Sequence, residues 1–124
     1  MATATYLKGQ QTTIEYLAGA DIAVGTILLT STNDSASVGV ALNAIANGAV
    51  GMVDITGCYI FPKVSGAVIK AGESVDWDSS EAKVEDNAST LATGDVGDFA
   101  VALEDAGNGT TTIKIMLDPN KVVT

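Results

Sequence analysis

The chain predicts an all-β fold, a small single-domain β-barrel or sandwich with at most one short helix. Three observations predict it. Apolar and polar residues alternate with period two in short blocks, and helical periodicity is weak. Clusters of Gly, Asn and Asp separate those blocks. The chain has 124 residues, enough for one core but not two.

The elements follow in chain order. Residues 1–11 are threonine-rich and β-prone, with Tyr6 and Leu7 as their only anchors. They read as an N-terminal arm that a partner orders, whose removal leaves the fold unchanged. The β-domain is expected over residues 12–118, with a C-terminal tail at 119–124. Strand-like blocks run Thr12–Leu17, Gly25–Thr30, Val38–Leu42, Gly51–Ile55, Cys58–Phe61, Ser74–Trp77, Phe99–Leu103 and Thr111–Leu117. Turns are expected at Ala18–Asp21, Thr32–Ser35, Asn47-Gly48 and Asn108-Gly109. The alanine-rich stretch Leu42–Val50 is the one place where a helical turn competes. The long polar segment Asp78–Gly94 reads as a loop, with a short hairpin arm around Ala82-Lys83-Val84. Trp77, Tyr59, Phe61, Val101 and Ile113 are the expected core.

An internal repeat is visible. Val40-Ala41-Leu42 followed by Asn47-Gly48 matches Val101-Ala102-Leu103 followed by Asn108-Gly109. A glycine-led strand precedes each copy, beginning at Gly25 and at Gly72. The second copy is longer, and its extra residues fall between Asp78 and Gly97. Two related strand-loop-strand halves that pair into one barrel-like core are therefore expected, since neither half buries its apolar face alone.

Charge narrows the function. Fifteen acids face six lysines, there is no histidine or arginine, and the net charge is −9. Phosphate backbones and anionic membranes are repelled, so neither nucleic acid nor membrane is an expected partner. No apolar run approaches the ~20 residues that span a bilayer, and Met1–Tyr6 reads without a basic and apolar leader. The lone Cys58 reads as a structural thiol.

Catalytic chemistry has little to use. Without histidine there is no side chain whose ordinary pKa sits near neutrality. Asp76-Trp77-Asp78 has the spacing of a metal-holding Asp-x-Asp pair, but two carboxylates leave a hard cation short of ligands. It reads as a solvated strand face with Trp77 turned inward. Lys63 reads as a surface lysine at a strand end, and Glu104-Asp105 as a turn in preference to a glycosidase dyad. No enzymatic activity, metal or cofactor is expected.

Three blocks carry a resemblance. Gly57-Cys58-Tyr59-Ile60-Phe61-Pro62-Lys63 is a Gly-x-Tyr-x-x-Pro-Lys block. Gly72-Glu73-Ser74-Val75-Asp76-Trp77-Asp78 is a Gly-x-x-Val-x-Trp-Asp block. A third runs from Gly97 through Leu103, before a final strand at Thr112–Leu117. In this order, across roughly residues 8–118, the chain resembles the capsid decoration (cement) proteins of tailed phages. The third block departs from the pattern, with Gly97-Asp98-Phe99-Ala100 replacing a tighter glycine-aliphatic-alanine run. The resemblance implies a structural virion protein on the outer surface of an assembled head, made in the host cytoplasm. It implies the major capsid protein as partner, a homotrimer at three-fold positions with a dimer at two-folds as the alternative, and no catalytic residues. Gly57, Tyr59, Pro62, Lys63, Gly72, Val75, Trp77 and Asp78 become family-motif structural positions. Thr3, Thr5, Tyr6, Leu7 and Lys8 become a candidate capsid-contact arm. An accessory β-domain of a phage tail or fibre, and a small carbohydrate-binding or hydrolytic domain, are the alternative functions.

Overall fold

Strand formation follows the β-branched and aromatic runs. The structure, a computed structural model, describes residues 3–8, 12–30, 37–87, 91–118 and 122–123. Its strands are β1 (Thr5–Lys8), β2 (Thr13–Leu17), β3 (Ile27–Leu29), β4 (Val38–Ala41), β5 (Val50–Asp54), β6 (Cys58–Pro62), β7 (Ser74–Asp78), β8 (Lys83–Asp86), β9 (Val96–Ala102), β10 (Thr112–Leu117) and β11 (Val122–Val123). There is no helix among the described residues. Residues 42–49 are instead an irregular loop leading into β5, pinned by Ile45, which exchanges backbone hydrogen bonds with Ile22. The expected turn at Thr32–Ser35 and most of the 119–124 tail lie outside the described residues.

The strands form two sheets. The large sheet runs β1-β6-β10-β9-β7-β8, with β11 also paired to β9, and the small sheet runs β2-β5-β4-β3. Every strand pair is antiparallel. The far edge of the large sheet curls back, so that the Val64 N–H donates to the Val84 carbonyl at 2.9 Å. That one bridge does not close a barrel, and the domain is sandwich-like.

The duplication is real. The small sheet and the β6-β10-β9-β7 core of the large sheet have the same strand order, so β2 corresponds to β6, β5 to β10, β4 to β9 and β3 to β7. Loop hydrogen bonds repeat with it. Gly25 N–H donates to Ala41 O as Gly72 N–H does to Ala102 O. Ala41 N–H donates to Thr26 O as Ala102 N–H does to Glu73 O. The Ile22–Ile45 bridge recurs as Ile69–Ala106. Gly25, Gly48, Gly72 and Gly109 all have positive φ, between 83° and 97°, which a side chain resists. The added length of the second copy holds β8, which pairs with β7 where the sequence suggested a hairpin arm.

Burial extends one expectation and corrects two. The halves share one core as expected, but the first half also has a second apolar cluster of its own. A large cluster centres on Tyr59, Phe61, Trp77, Phe99 and Ile113. A second gathers Ala18, Ile22, Leu28, Ala41, Ile45 and Val53 on one face of the small sheet. The opposite face of that sheet sends Ile27, Val38 and Val40 into the large cluster. Val101 is only half-buried, because it pairs with Met116 and Ser74 on the face turned away from the core. Its neighbours Ala100 and Ala102 are the buried residues. The N-terminal segment is also held. Thr5–Lys8 pairs with β6, the Ala4 N–H donates to Gly25 O at 2.7 Å, and Thr3 bridges Thr26. It thus ties the edge of the small sheet to the large one.

Candidate functional site

The three sequence blocks land on β6, β7 and β9 and meet in the large sheet. Aromatic rings from all three stack edge-on: Phe61 against Trp77 at 5.8 Å, and Trp77 against Phe99 at 5.9 Å. Val75 and Trp77 are buried. These positions build the core. Pro62 fits because the backbone groups of β6 alternate. Its ring nitrogen lies on the β1 side, past the last β1 pair at Thr5–Ile60, so no ladder bond is lost.

Each candidate for chemistry is engaged in holding the fold. Lys63 is not a surface lysine: it is 1% exposed. Its ammonium donates to the carbonyls of Val64, Thr110 and Ser65 at 2.6, 3.2 and 3.5 Å. Burial lowers its pKa, while the charges of Glu85 and Asp86 pull it up. The side chain is thereby a clamp on the Val64–Gly66 turn and the strand entering β10.

Asp76 corrects the expectation of a solvated strand face. It is buried beside a bulge, where Asp98 adopts a left-handed φ of 53°. The Asp76 carboxylate accepts the Asp98 N–H at 2.9 Å. Desolvation raises its pKa, the Asp98 hydrogen bond opposes that, and the charges of Asp98, Asp86 and Asp95 add to the rise. Asp78 instead caps a turn, accepting from the Ser80 N–H, the Ser80 hydroxyl and the Glu81 N–H. Those bonds lower its pKa, the Ser80 hydroxyl most. The two aspartates therefore do not converge. Among the described residues, no group of three or more acidic or cysteine side chains is placed to hold a metal. Glu104 and Asp105 do not face a cleft as a dyad. Glu104 accepts the Lys114 N–H at 3.1 Å and Asp105 the Ala71 N–H at 2.8 Å.

One polar link was not legible in the sequence. Asp54, inside the apolar run Met52–Ile55, is fully buried, and the Tyr59 hydroxyl donates to its carboxylate. The Thr56 N–H donates to the same side chain at 2.9 Å. This joins β5 of the small sheet to β6 of the large one. Gly57 makes the approach possible: a Cβ there would stand 3.0 Å from the Asp54 carboxylate oxygen, at a φ of 96°.

What the surface offers is contact area. An open depression of about 400 Å³ lies between the N-terminal segment and β4, lined by Ala4, Tyr6, Val24, Val40 and Leu42. Tyr6 and Val24 on its rim are exposed, at 46% and 62%. Leu17 and Val50 pair across β2 and β5 and are 66% and 59% exposed, with Met52 beside them at 37%. Thr3, Thr5, Tyr6, Leu7 and Lys8 are all exposed. Such a surface suits protein partners better than a small substrate.

The family model of phage cement proteins matches residues 7–117, nearly the full chain. The chain belongs to the phage cement protein family. No curated protein matches it. Among solved structures, the N base of the head fiber gp8.5 of bacteriophage phi29 aligns over 93% of this chain and 100% of that one. That alignment has 15% identity and a TM-score of 0.43. As a cement protein the chain is a structural component that decorates and stabilises a phage head.

Proposed function

We propose that this cement protein binds the major capsid protein on the outside of the assembled head and stabilises contacts between neighbouring shell subunits. The family match across residues 7–117 carries this reading. Each copy binds the assembled shell and not separated subunits, so it stabilises the shell by mass action. It functions without catalysis or cofactor, is made in the host cytoplasm, and works as a small symmetric ring, a trimer before a dimer, whose weak contacts add by avidity. The exposed N-terminal side chains Thr3, Thr5, Tyr6, Leu7 and Lys8 form part of the contact surface.

The test is direct. The copy number of the protein relative to major capsid protein is measured in purified particles and in separated heads and tails. A fixed stoichiometry on heads is expected, as is added resistance of undecorated expanded heads to heat when purified protein is supplied. Recovery with tails or fibres alone would overturn the reading.

A further inference from the structure

The duplicated architecture leaves one position filled in one half and open in the other. In the large sheet the outer edge of β6 is covered by β1, and Tyr6 of β1 packs edge-on against Tyr59 at 5.5 Å. The corresponding strand of the small sheet is β2. It is the edge of that sheet, and among the described residues only β5 pairs with it. Ile55 N–H donates to Thr12 O and Ala18 N–H to Ala49 O, so the even-numbered residues of β2 face β5. The backbone groups of Thr13, Glu15 and Leu17 therefore point away from the sheet.

Side-chain burial marks the same vacancy. Ile14 pairs with Val53 as Tyr59 pairs with Ile115, and Tyr16 pairs with Gly51 as Phe61 pairs with Ile113. Tyr59 and Phe61 are 1% and 0% exposed, whereas Ile14 and Tyr16 are only half-buried. On the opposite face of β2, Glu15 is the charged group beside the exposed Leu17, Val50 and Met52.

We infer that β2 is a docking edge that accepts one extended strand of the shell subunit. The inference rests on the cement reading and names its contact. The added strand occupies the place β1 holds on β6. Its backbone bonds the outward groups of Thr13, Glu15 and Leu17. An aromatic or branched side chain on one face covers Ile14 and Tyr16, as Tyr6 covers Tyr59. A lysine or arginine on the other face meets Glu15, with apolar neighbours against Leu17 and Met52. The partner's basic character is set by Glu15 and by the net charge of −9, which disfavours pairing between two copies of this chain.

The test uses the full chain and undecorated expanded heads of its own phage, with binding read by co-sedimentation. Glu15→Pro removes one outward N–H that bonds to nothing among the described residues, and proline is tolerated on edge strands. Its melting temperature is expected to match wild type, while its apparent affinity for heads falls roughly ten-fold or more. Glu15→Lys is expected to weaken binding with a reduced dependence on salt. Amide exchange on the wild-type protein serves if Glu15→Pro does not fold, and Glu15 and Leu17 amides are then expected to become protected on heads. Wild-type binding with unchanged variants and unprotected β2 amides overturns the docking edge and leaves the cement reading intact. Failure of the wild type to bind heads at all overturns the cement reading. A wild-type dimer in solution that Glu15→Pro makes monomeric assigns the edge to a second copy and overturns the shell strand.

Discussion

Individual side chains show how the same residue type takes opposite roles by position. Trp77 sits 4% exposed between Phe61 and Phe99, so Trp77→Ala removes the centre of the aromatic stack. A loss of about 3–5 kcal/mol is expected in urea unfolding; a loss near that of an exposed residue would mean the indole is not the keystone. Asp76 and Asp78 are two residues apart, yet burial raises the pKa of one and Ser80 lowers that of the other. The raised value has a signed consequence. Near neutral pH Asp76 is ionised in a fold that disfavours its charge, so it subtracts stability. The subtraction fades as pH falls through the raised folded-state pKa toward the ordinary 3.8. Asp76→Asn keeps an oxygen to accept the Asp98 N–H. It is expected to exceed wild type in stability near neutral pH and to lose that lead on acidification, as read by urea melts across a pH series. A lead that does not vary with pH would assign the effect to packing. Lys63→Met leaves three carbonyls without their cation and is expected to cost about 1–3 kcal/mol, although methionine matches the length of the stem.

Between strands and loops, the duplication exposes a trade of volume. Ile45 in the first half stands where Ala106 stands in the second, and Gly51 stands where Ile113 does. A Cβ on Gly51 would lie 2.4 Å from the Ile45 side chain, so the glycine is there to admit the isoleucine. Gly51→Ala is expected to destabilise by about 1–3 kcal/mol. Adding Ile45→Ala makes room and should recover part of that loss, with a coupling of roughly 0.5–3 kcal/mol in a double-mutant cycle. Additive losses would show that the two positions do not share one packing site. The glycine spacing made the repeat visible in the sequence. This exchange was not visible, because a compensating pair lowers sequence similarity while preserving shape.

The complete domain depends on its N-terminal segment in a way the sequence did not disclose. Thr3 and Ala4 engage the turn before β3, and Thr5–Lys8 completes the edge of β6. Deleting residues 2–8 uncovers Tyr59, opens the β6 edge and unties the two sheets there. A clear fall in melting temperature is therefore expected in circular dichroism, together with a less cooperative transition. An unchanged melt would return the segment to the role of a free arm. With the segment as part of the fold, β1 covers β6 while β2, the counterpart of β6, stays an edge among the described residues, and that is where head binding is expected to be lost first.

Sequence alone determined the fold class, the positions of eight strands, the repeat and the aromatic core. Each of these depends on local periodicity, turn chemistry or block order, which are properties of neighbouring residues. The shell-binding family was legible for the same reason, since its blocks are the β6, β7 and β9 core. Only tertiary structure decided that Lys63 and Asp76 are buried, that Val101 faces outward and that Thr5–Lys8 belongs to the large sheet. Each of those depends on which strand lies alongside, a contact between residues far apart in the chain. Alternation gives a strand two faces, but it does not say which face a distant strand or loop will cover. For that reason the open β2 edge has no mark in the sequence TIEYL itself, and emerges only when β2 is set beside its covered counterpart β6.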